Sequence, residues 1–522
     1  MANISPADKL SSYKRFKRSA DKLNRSAAHT KWAGIRFSDL LTRLQMIAFK
    51  TALRSLVLLG AYGVIARYCA RHVVEINNGT KRALSLGARQ SEKITVLVLD
   101  YDRFRGDIDL FSRSADIRIL SISWNLLRFL LAAYVRLPTE EEQRNLPVDR
   151  VARTDFALAG PGSRIYRERE KYRRFLRRLV PALMDRLGVD VVMNSDFRYR
   201  READFVRIAA ELGYPHICYY REAMYFVPVY YHFAVKRHEA FAPFYGELVA
   251  VQNDVTRQMF LESGIAPREK IVIRGCPRMD TFVTKLDECA RSGPRKGRQI
   301  AFFSNPRGPM LKDYTQFDLF SASRQVVRAL AELAREDSEL KVVIKIKDLH
   351  MGQLDELKEE VRQCTENGID FANVEFVTDR MAAHDVIAKS DIVCAMQSTV
   401  VLEAAVTGKP VILPHFKEMR ERYGADQALM YHAYRDLFDV PDDAESLKEL
   451  VRQRLARPAI GADIMARRRA LFEKYVSPLD GGATETSLAL IREVARRGRA
   501  RRTGNNEVTQ KPVSYQTHEA RT

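Results

Sequence analysis

No apolar run in the sequence is long enough to cross a bilayer. The first uncharged apolar stretch, Ser55 to Ala66, falls short of the roughly 20 residues that a spanning helix needs. It follows polar, basic sequence that continues to Lys31 without a small-residue cleavage site, so no secretory leader is expected. Cysteine is also scarce. Its six copies, Cys69, Cys218, Cys276, Cys289, Cys364 and Cys394, fall at irregular spacing with no C-x-x-C pair and no histidine at metal-site distance. That excludes a readable zinc site or disulfide framework. Cys218, Cys276 and Cys394 lie in or beside apolar strand-like runs, where a thiol acts as a small buried hydrophobe, and a reducing cytoplasm is expected. There is no short internal repeat, and low complexity is confined to the stretch after about Arg496.

What is present is enough for two cores. At 522 residues, 46% hydrophobic and 29% charged, the chain exceeds what one core organises, and two domains with extensions are expected. The net charge of +20 is concentrated at the ends: residues 1–90 carry 17 Lys or Arg against 4 Asp or Glu, and residues 491–522 carry 8 against 3, leaving the middle near neutral. A nucleic-acid enzyme would carry its positive field on the folded body, so no nucleic-acid partner is expected. Basic ends fit an anionic membrane surface or a polyanionic acceptor, or act only as solvated tails.

On a helical projection Arg43, Lys50 and Arg54 share one face, with Leu41, Ala48, Ala52 and Leu59 opposite. Such a basic amphipathic helix either lies in the headgroup plane of an anionic leaflet, at the inner face of the cytoplasmic membrane, or packs onto the domain with its charges solvated. Lys14, Arg15, Lys17 and Arg18 favour the membrane.

From Ile94 onward, apolar runs bounded by turn residues alternate with helical-period segments, the pattern of parallel sheets covered by helices. The spacing predicts strands at Ile94–Asp100, Asp190–Asn194, His216–Tyr220, Leu248–Gln252 and Ile271–Arg274, then a second series at Ile300–Ser304, Lys341–Lys347, Val374–Val377, Ile392–Ala395 and Pro410–Leu413. Ser292-Gly293-Pro294 between them reads as a hinge. The expected organisation is a helical extension over 1–90, an α/β lobe over 91–290, a hinge over 291–298, a second α/β lobe over 299–490 and a basic disordered tail over 491–522. Ligands are expected beyond the carboxyl ends of the strands, in the cleft between the lobes.

The sharpest segment runs from Ser390 through Cys394 to Gln397-Ser398-Thr399, then Glu403-Ala404-Ala405 and Gly408-Lys409-Pro410-Val411-Ile412. A buried strand here delivers two hydroxyls to the first turn of a helix, where free N–H groups favour a phosphate. Glu403 follows one turn later on the same side, placed to accept ribose or sugar hydroxyls. A plain N-cap is the alternative reading of Ser398 or Thr399.

This stretch resembles the donor-binding segment of GT-B glycosyltransferases, where a Ser/Thr pair precedes Glu-Ala and a Gly-x-Pro-Val-Ile strand. Val249 to Asp280, with Gly275-Cys276-Pro277, is similar to the end of the first lobe of such enzymes. Tyr475 to Glu485, with Asp480-Gly481-Gly482-Ala483, resembles a late segment of CDP-glycerol glycerophosphotransferases and capsule or surface polysaccharide proteins. The resemblance implies an α/β fold of two Rossmann-like lobes facing a cleft, with the nucleotide donor on the second and the acceptor on the first.

Further candidates follow from position. Lys345 and Lys347 end a strand at the cleft edge, with His350 beyond them. The resemblance leads one to expect Lys-Pro-His-Pro there, and this sequence has neither proline. Either lysine can offset diphosphate charge and His350 can donate to it; a solvated strand edge is the other reading of the lysines. Arg307, in Ser304-Asn305-Pro306-Arg307-Gly308, can fork onto phosphate oxygens. On the acceptor side Glu222 is the candidate general base, with Arg221, His216 and His232 nearby in sequence. Tyr219, Tyr220, Tyr225, Tyr230 and Tyr231 either stack on sugars or pack in the core. The pairs Asp100 and Asp102, and Asp107 and Asp109, are expected at the surface, and no metal is expected.

The expected activity is transfer of a sugar or polyol phosphate from a nucleotide donor, which is substrate rather than cofactor, to a surface-polysaccharide or lipid-linked acceptor. Two alternatives share the fold: an enzyme resembling UDP-N-acetylglucosamine 2-epimerase, and a non-catalytic polysaccharide assembly protein.

Overall fold

The structure is a computed structural model that describes residues 31–32, 35–84, 92–104, 106–136, 156–291, 298–305, 319–346, 353–364, 373–378, 381–421 and 429–502. Short strands β1 (Lys31–Trp32) and β2 (Ile35–Arg36) pair antiparallel ahead of a helix at Phe37–Leu58. The first sheet contains β3 (Val73–Asn77), β4 (Thr80–Ala83), β5 (Ile94–Leu99), β6 (Ile117–Ile122), β7 (Val191–Asn194), β8 (His216–Tyr219), β9 (Leu248–Val251) and β10 (Ile271–Ile273), in the order β10-β9-β8-β7-β5-β6-β3-β4. From β5 to β10 all pairs are parallel, while β3 runs antiparallel to β6 and to β4.

The first lobe therefore begins at Val73, not at residue 91. A two-residue turn at Asn78-Gly79, both with positive φ (48° and 71°), closes the β3–β4 hairpin, the turn chemistry that Asn-Gly favours.

The second sheet holds β11 (Gln299–Phe303), β12 (Lys341–Lys345), β13 (Val374–Val377), β14 (Ile392–Ala395) and β15 (Val411–Ile412), all parallel, in the order β13-β12-β11-β14-β15. Strand alternation sorts its two faces. Ile300, Phe302, Val342, Ile344, Ile392, Cys394 and Ile412 pack under the helices Leu319–Glu336 and Ala444–Ala456. Ala301, Phe303, Val343, Val393, Ala395 and Val411 pack under Val400–Ala405 and Ala462–Tyr475. Burial on both faces explains why these strands read as unbroken apolar runs. Both sheets are doubly wound, and the chain has two Rossmann-like lobes. Each has a point where the strand order reverses, between β5 and β7 in the first and between β11 and β14 in the second, which is where such sheets open a ligand crevice.

The last described helix returns to the first lobe. The helix Ala483–Arg502 buries Leu488, Leu490, Ile491, Val494 and Ala495 against Val96, Val98, Val191 and Met193. Three of its basic residues hold it to the first lobe, Arg492 with Asp116 at 2.8 Å, Arg499 with Asp190 at 2.6 Å and Arg501 with Glu247 at 2.8 Å. Residues 491–502 are thus a docked helix and not a disordered tail; the apolar i, i+3, i+4 pattern outweighs the basic composition. Residues 292–297 of the expected hinge lie outside the described residues.

The helix Phe37–Leu58 packs on the first lobe through Phe49, Leu53, Leu56 and Val57. Ala48 and Ala52 of the expected apolar face, and Leu59 just past the helix, are exposed.

Candidate active site

On the second lobe the segment around Ser398 and Thr399 takes the strand, turn and helix form that its sequence suggests. Met396 to Thr399 follow the carboxyl end of β14, next to Ser304 and Asn305, which follow β11. Ser398 and Thr399 are half-buried at the reversal point, and the Ser398 hydroxyl accepts from the Val400 N–H at 3.4 Å. The helix they lead into, Val400–Ala405, has only 6 residues, and Thr399 makes no side-chain cap. Its dipole is correspondingly short, so side-chain donors matter more here than the helix end. Tyr431 lies over this loop, its hydroxyl donating to the Ser398 carbonyl at 2.6 Å, and Met430 N donates to Gln397 Oε1 at 2.8 Å. Tyr431 holds φ +66°, a conformation kept for a bulky residue only when its surroundings over-determine it.

Glu403 is 5% exposed, and His384 Nε2 lies 3.1 Å from one of its oxygens. Burial alone raises its pKa, but hydrogen bonds from His384 and Thr399 and the charge of Arg278 outweigh this and hold it below the usual carboxylate value. It is a fixed anion. A carboxylate has about four lone-pair positions, so acceptor capacity remains beyond these two bonds. Arg278 comes from the first lobe side, where its N–H and guanidinium each bond Asp107 at 3.0 Å.

Lys345 ends β12 beside Ser304, whose N–H donates to the Lys345 carbonyl at 3.1 Å. It is 7% exposed, which rules out a solvated edge at that position. Arg307, Lys347 and His350 lie outside the described residues.

The carboxyl edges of the two sheets meet. The loop after β8 carries Phe226, whose ring stacks on Tyr475 at 3.9 Å and lies 4.8 Å from Tyr431, so the ends of β8 and β14 are joined through two rings. The segments matched by resemblance also meet. Cys276 N donates to Ser477 Oγ at 2.9 Å, and Asp280 accepts from Ala483 N at 3.2 Å and Thr484 N at 2.6 Å. Gly275 (φ +72°) leaves no room for a side chain, since a Cβ there would stand 2.9 Å from Ala483 Cβ and Ser477 Oγ. These residues build the return crossing between lobes; their role is architectural.

Several acceptor-side expectations change. His216 opens β8, 1% exposed, and its Nε2 lies 2.8 Å from Asn194 Oδ1. Burial lowers its pKa to about 3, so it is a neutral core residue that meets no acceptor. His232 is exposed on the helix Pro228–Glu239, against Tyr231. Arg221 donates to the Arg103 carbonyl and so fixes the loop after β5. Glu222 is exposed beside that loop. Burial and then the carboxylates of Asp196 and Glu222 raise the Tyr199 pKa against the pull of Arg103. Tyr219, Tyr220 and Tyr230 are buried, with Tyr219 bonded to Ser487 at 2.9 Å and Tyr220 to Tyr225 at 2.8 Å, which is packing. Asp100 and Asp107, expected at the surface, are buried. Among the described residues no three His, Cys, Asp or Glu side chains gather as a metal site.

No family profile matches the sequence, and no curated protein matches it. Solved structures that are similar include UDP-GlcNAc 2-epimerase from Neisseria meningitidis bound to UDP-GlcNAc, at 12% identity and TM-score 0.43 over 78% of this chain and 100% of that one. A glycosyltransferase from Rickettsia africae ESF-5 is similar at 13% identity and TM-score 0.41, over 77% and 98% of the two chains. The wall teichoic acid polymerase TagF is similar at 13% identity and TM-score 0.38, over 61% and 76%. The two-lobe assignment itself rests on the strand order and pairing of this chain.

Proposed function

We propose that the protein is a transferase that moves a sugar or a polyol phosphate from a nucleotide donor on the second lobe to a hydroxyl of a surface-polysaccharide or lipid-linked acceptor on the first. The observation that carries this reading is the meeting of the two carboxyl edges, with Tyr431 joining the Ser398 carbonyl to Phe226. Two substrates bound at facing crevices are held for direct reaction, which replaces a bimolecular encounter by an oriented one.

In the proposed step the acceptor oxygen bonds to the anomeric carbon, or to phosphorus for a polyol phosphate, as that atom's bond to the nucleotide's bridging oxygen breaks. The nucleotide leaves with the bonding pair, and the acceptor proton passes to Glu222. Ser398, Thr399 and Lys345, with Arg307, Lys347 and His350, stabilise the charge on the departing phosphate. Glu403 orients donor hydroxyls.

We place the enzyme in the cytoplasm at an anionic membrane face. Cys69, Cys218, Cys276, Cys364 and Cys394 are free and buried, as a reducing compartment keeps them. No described helix is long and apolar enough to cross a membrane, yet Leu58 (86%) and Leu59 (79%) stand exposed, as do Arg54, Arg67 and Arg71 of the two helices that flank them, a combination suited to a headgroup layer.

The test is thermal stabilisation by UDP-, GDP-, CMP- and CDP-linked compounds. One nucleotide class should raise the midpoint, since a ligand at 100 times its dissociation constant adds about 2.7 kcal/mol, and Glu403→Ala should abolish the rise. No rise with any compound in folded protein rejects the donor site.

A further inference from the structure

The first lobe's reversal point holds a cluster that no sequence motif announces. Strands β6, β5 and β7 lie side by side in that order, and the segment after each carboxyl end supplies one part. Arg103 follows β5, Trp124 and Arg128 begin the helix Trp124–Tyr134 after β6, and Tyr199 and Arg201 open the helix Arg200–Glu211 after β7. The Arg201 guanidinium lies 3.9 Å from the Trp124 ring centre; that of Arg103 lies 4.9 Å from the same ring and 5.1 Å from Tyr199. Stacking fixes planar forks while leaving their N–H edges for oxygens.

These charges are poorly neutralised. Asp100 reaches Arg103 at 3.4 Å, but neither Arg128 nor Arg201 forms an ion pair with a described residue. Burial, then the charges of Arg128, Arg200 and Arg103, push the Arg201 pKa down to about 10, the signature of cations held together without enough counter-charge. In the loop after β7 the Ser195 hydroxyl is buried with no hydrogen-bond partner among the described residues. The helix that carries Trp124 and Arg128 also joins the cluster to the exposed apolar surface, because Phe129 packs 5.8 Å from Phe49 of the Phe37–Leu58 helix.

We propose that Arg103 and Arg201, stacked on Trp124, bind the phosphate or diphosphate group of the acceptor together with Arg128, whose charge acts on Arg201. This rests on the transferase reading and narrows its acceptor to a phosphorylated one. Arginine forks match phosphate oxygens two at a time, and a phosphate here lies near Glu222, whose charge acts on Tyr199 of the cluster, with the exposed Leu58 and Leu59 at the end of the Phe37–Leu58 helix available to a lipid chain.

Trp124 reports the site directly. The sequence has 2 tryptophans, so full-length protein carrying Trp32→Phe is titrated with inorganic pyrophosphate at constant ionic strength. The expected result is a saturable change in Trp124 emission, with a dissociation constant raised at least tenfold by Arg201→Ala and by Arg128→Glu. Arg128 is exposed, so its substitution leaves folding intact if Arg201→Ala does not. No saturable change, or an unchanged constant in Arg128→Glu, overturns the proposal. A response to phosphatidylglycerol vesicles without one to pyrophosphate overturns it too and assigns the cluster to membrane headgroups. Nucleotide stabilisation is measured on the same samples: its persistence without a pyrophosphate response rejects the subsite alone, and its absence with an intact pyrophosphate response rejects the transferase reading alone.

Discussion

Asp280 and Thr484, 204 residues apart, are joined by a 2.6 Å hydrogen bond from the Thr484 N–H to the Asp280 carboxylate. With the 3.2 Å bond from Ala483 N, one side chain satisfies two of the free N–H groups at the start of the final helix. Asp280→Ala should lower unfolding free energy by about 1–2 kcal/mol, the scale of a lost helix cap, with Asp280→Asn recovering only part of it, because its amide keeps one acceptor oxygen and sets an NH2 against the second N–H. Urea midpoints decide this, and an unchanged midpoint would show the cap to be dispensable.

Glu403 should make stability pH-dependent on the acid side. Its folded pKa lies below the unfolded value, so its contribution is complete above the ordinary carboxylate range and is lost as pH falls through the folded pKa. Glu403→Gln should therefore cost on the order of 1–3 kcal/mol at pH 7, and the gap from the parent should close in melting curves taken below about pH 4. A pH-independent gap contradicts the assignment.

Glu202 has the opposite sign. Burial first, then the charges of Asp100 and Asp196, raise its pKa well above the usual value, against the bond from Asn194 and the pull of Arg103. Stability associated with the protonated form is present below the unfolded pKa and is lost as pH rises through the folded one. Glu202→Gln should melt higher than the parent at pH 8 and equal to it near pH 4. A mutant that melts lower at pH 8 would show that the carboxylate is stabilising.

Gly498 marks the closest approach of the last helix to the first sheet, where an added Cβ would stand 2.3 Å from Pro215 Cγ. Gly498→Ala should cost about 1–3 kcal/mol through overpacking and expose residues 483–502 to proteolysis. Equal protease resistance would argue that the contact relaxes freely.

The exposed pair Leu58 and Leu59 should matter for membranes and not for folding. A Leu58→Glu, Leu59→Glu double variant should float less with phosphatidylglycerol vesicles at an unchanged melting temperature. Undiminished flotation would remove this face from the membrane contact.

The central strands were legible because parallel sheets buried on both faces need contiguous apolar runs, as in Ile392–Ala395, which coincides with the observed element. The position of the loop at Ser398 and Thr399 was legible for the same reason: it directly follows such a run. The β3–β4 hairpin carried a readable Asn78-Gly79 signal inside a segment whose basic charge pointed elsewhere. Asp107 was not readable, because its partner Arg278 is 171 positions away. His216 was misplaced because its burial depends on Gly246, whose missing side chain leaves space for the ring. The arginine cluster becomes visible only once the order β6-β5-β7 is known; its one local trace is a basic residue shortly after each strand.

The docking of Ala483–Arg502 on the first sheet has a consequence for biosynthesis. The ribosome makes β5 to β10 first, but the helix that covers Val96, Val98, Val191 and Met193 emerges only after the whole second lobe. At typical translation rates of 5–20 residues per second, that apolar face stays open for on the order of ten to forty seconds after β10 is made. Nascent chains stalled before residue 483 should expose a chaperone-binding surface that chains released after Arg502 lack.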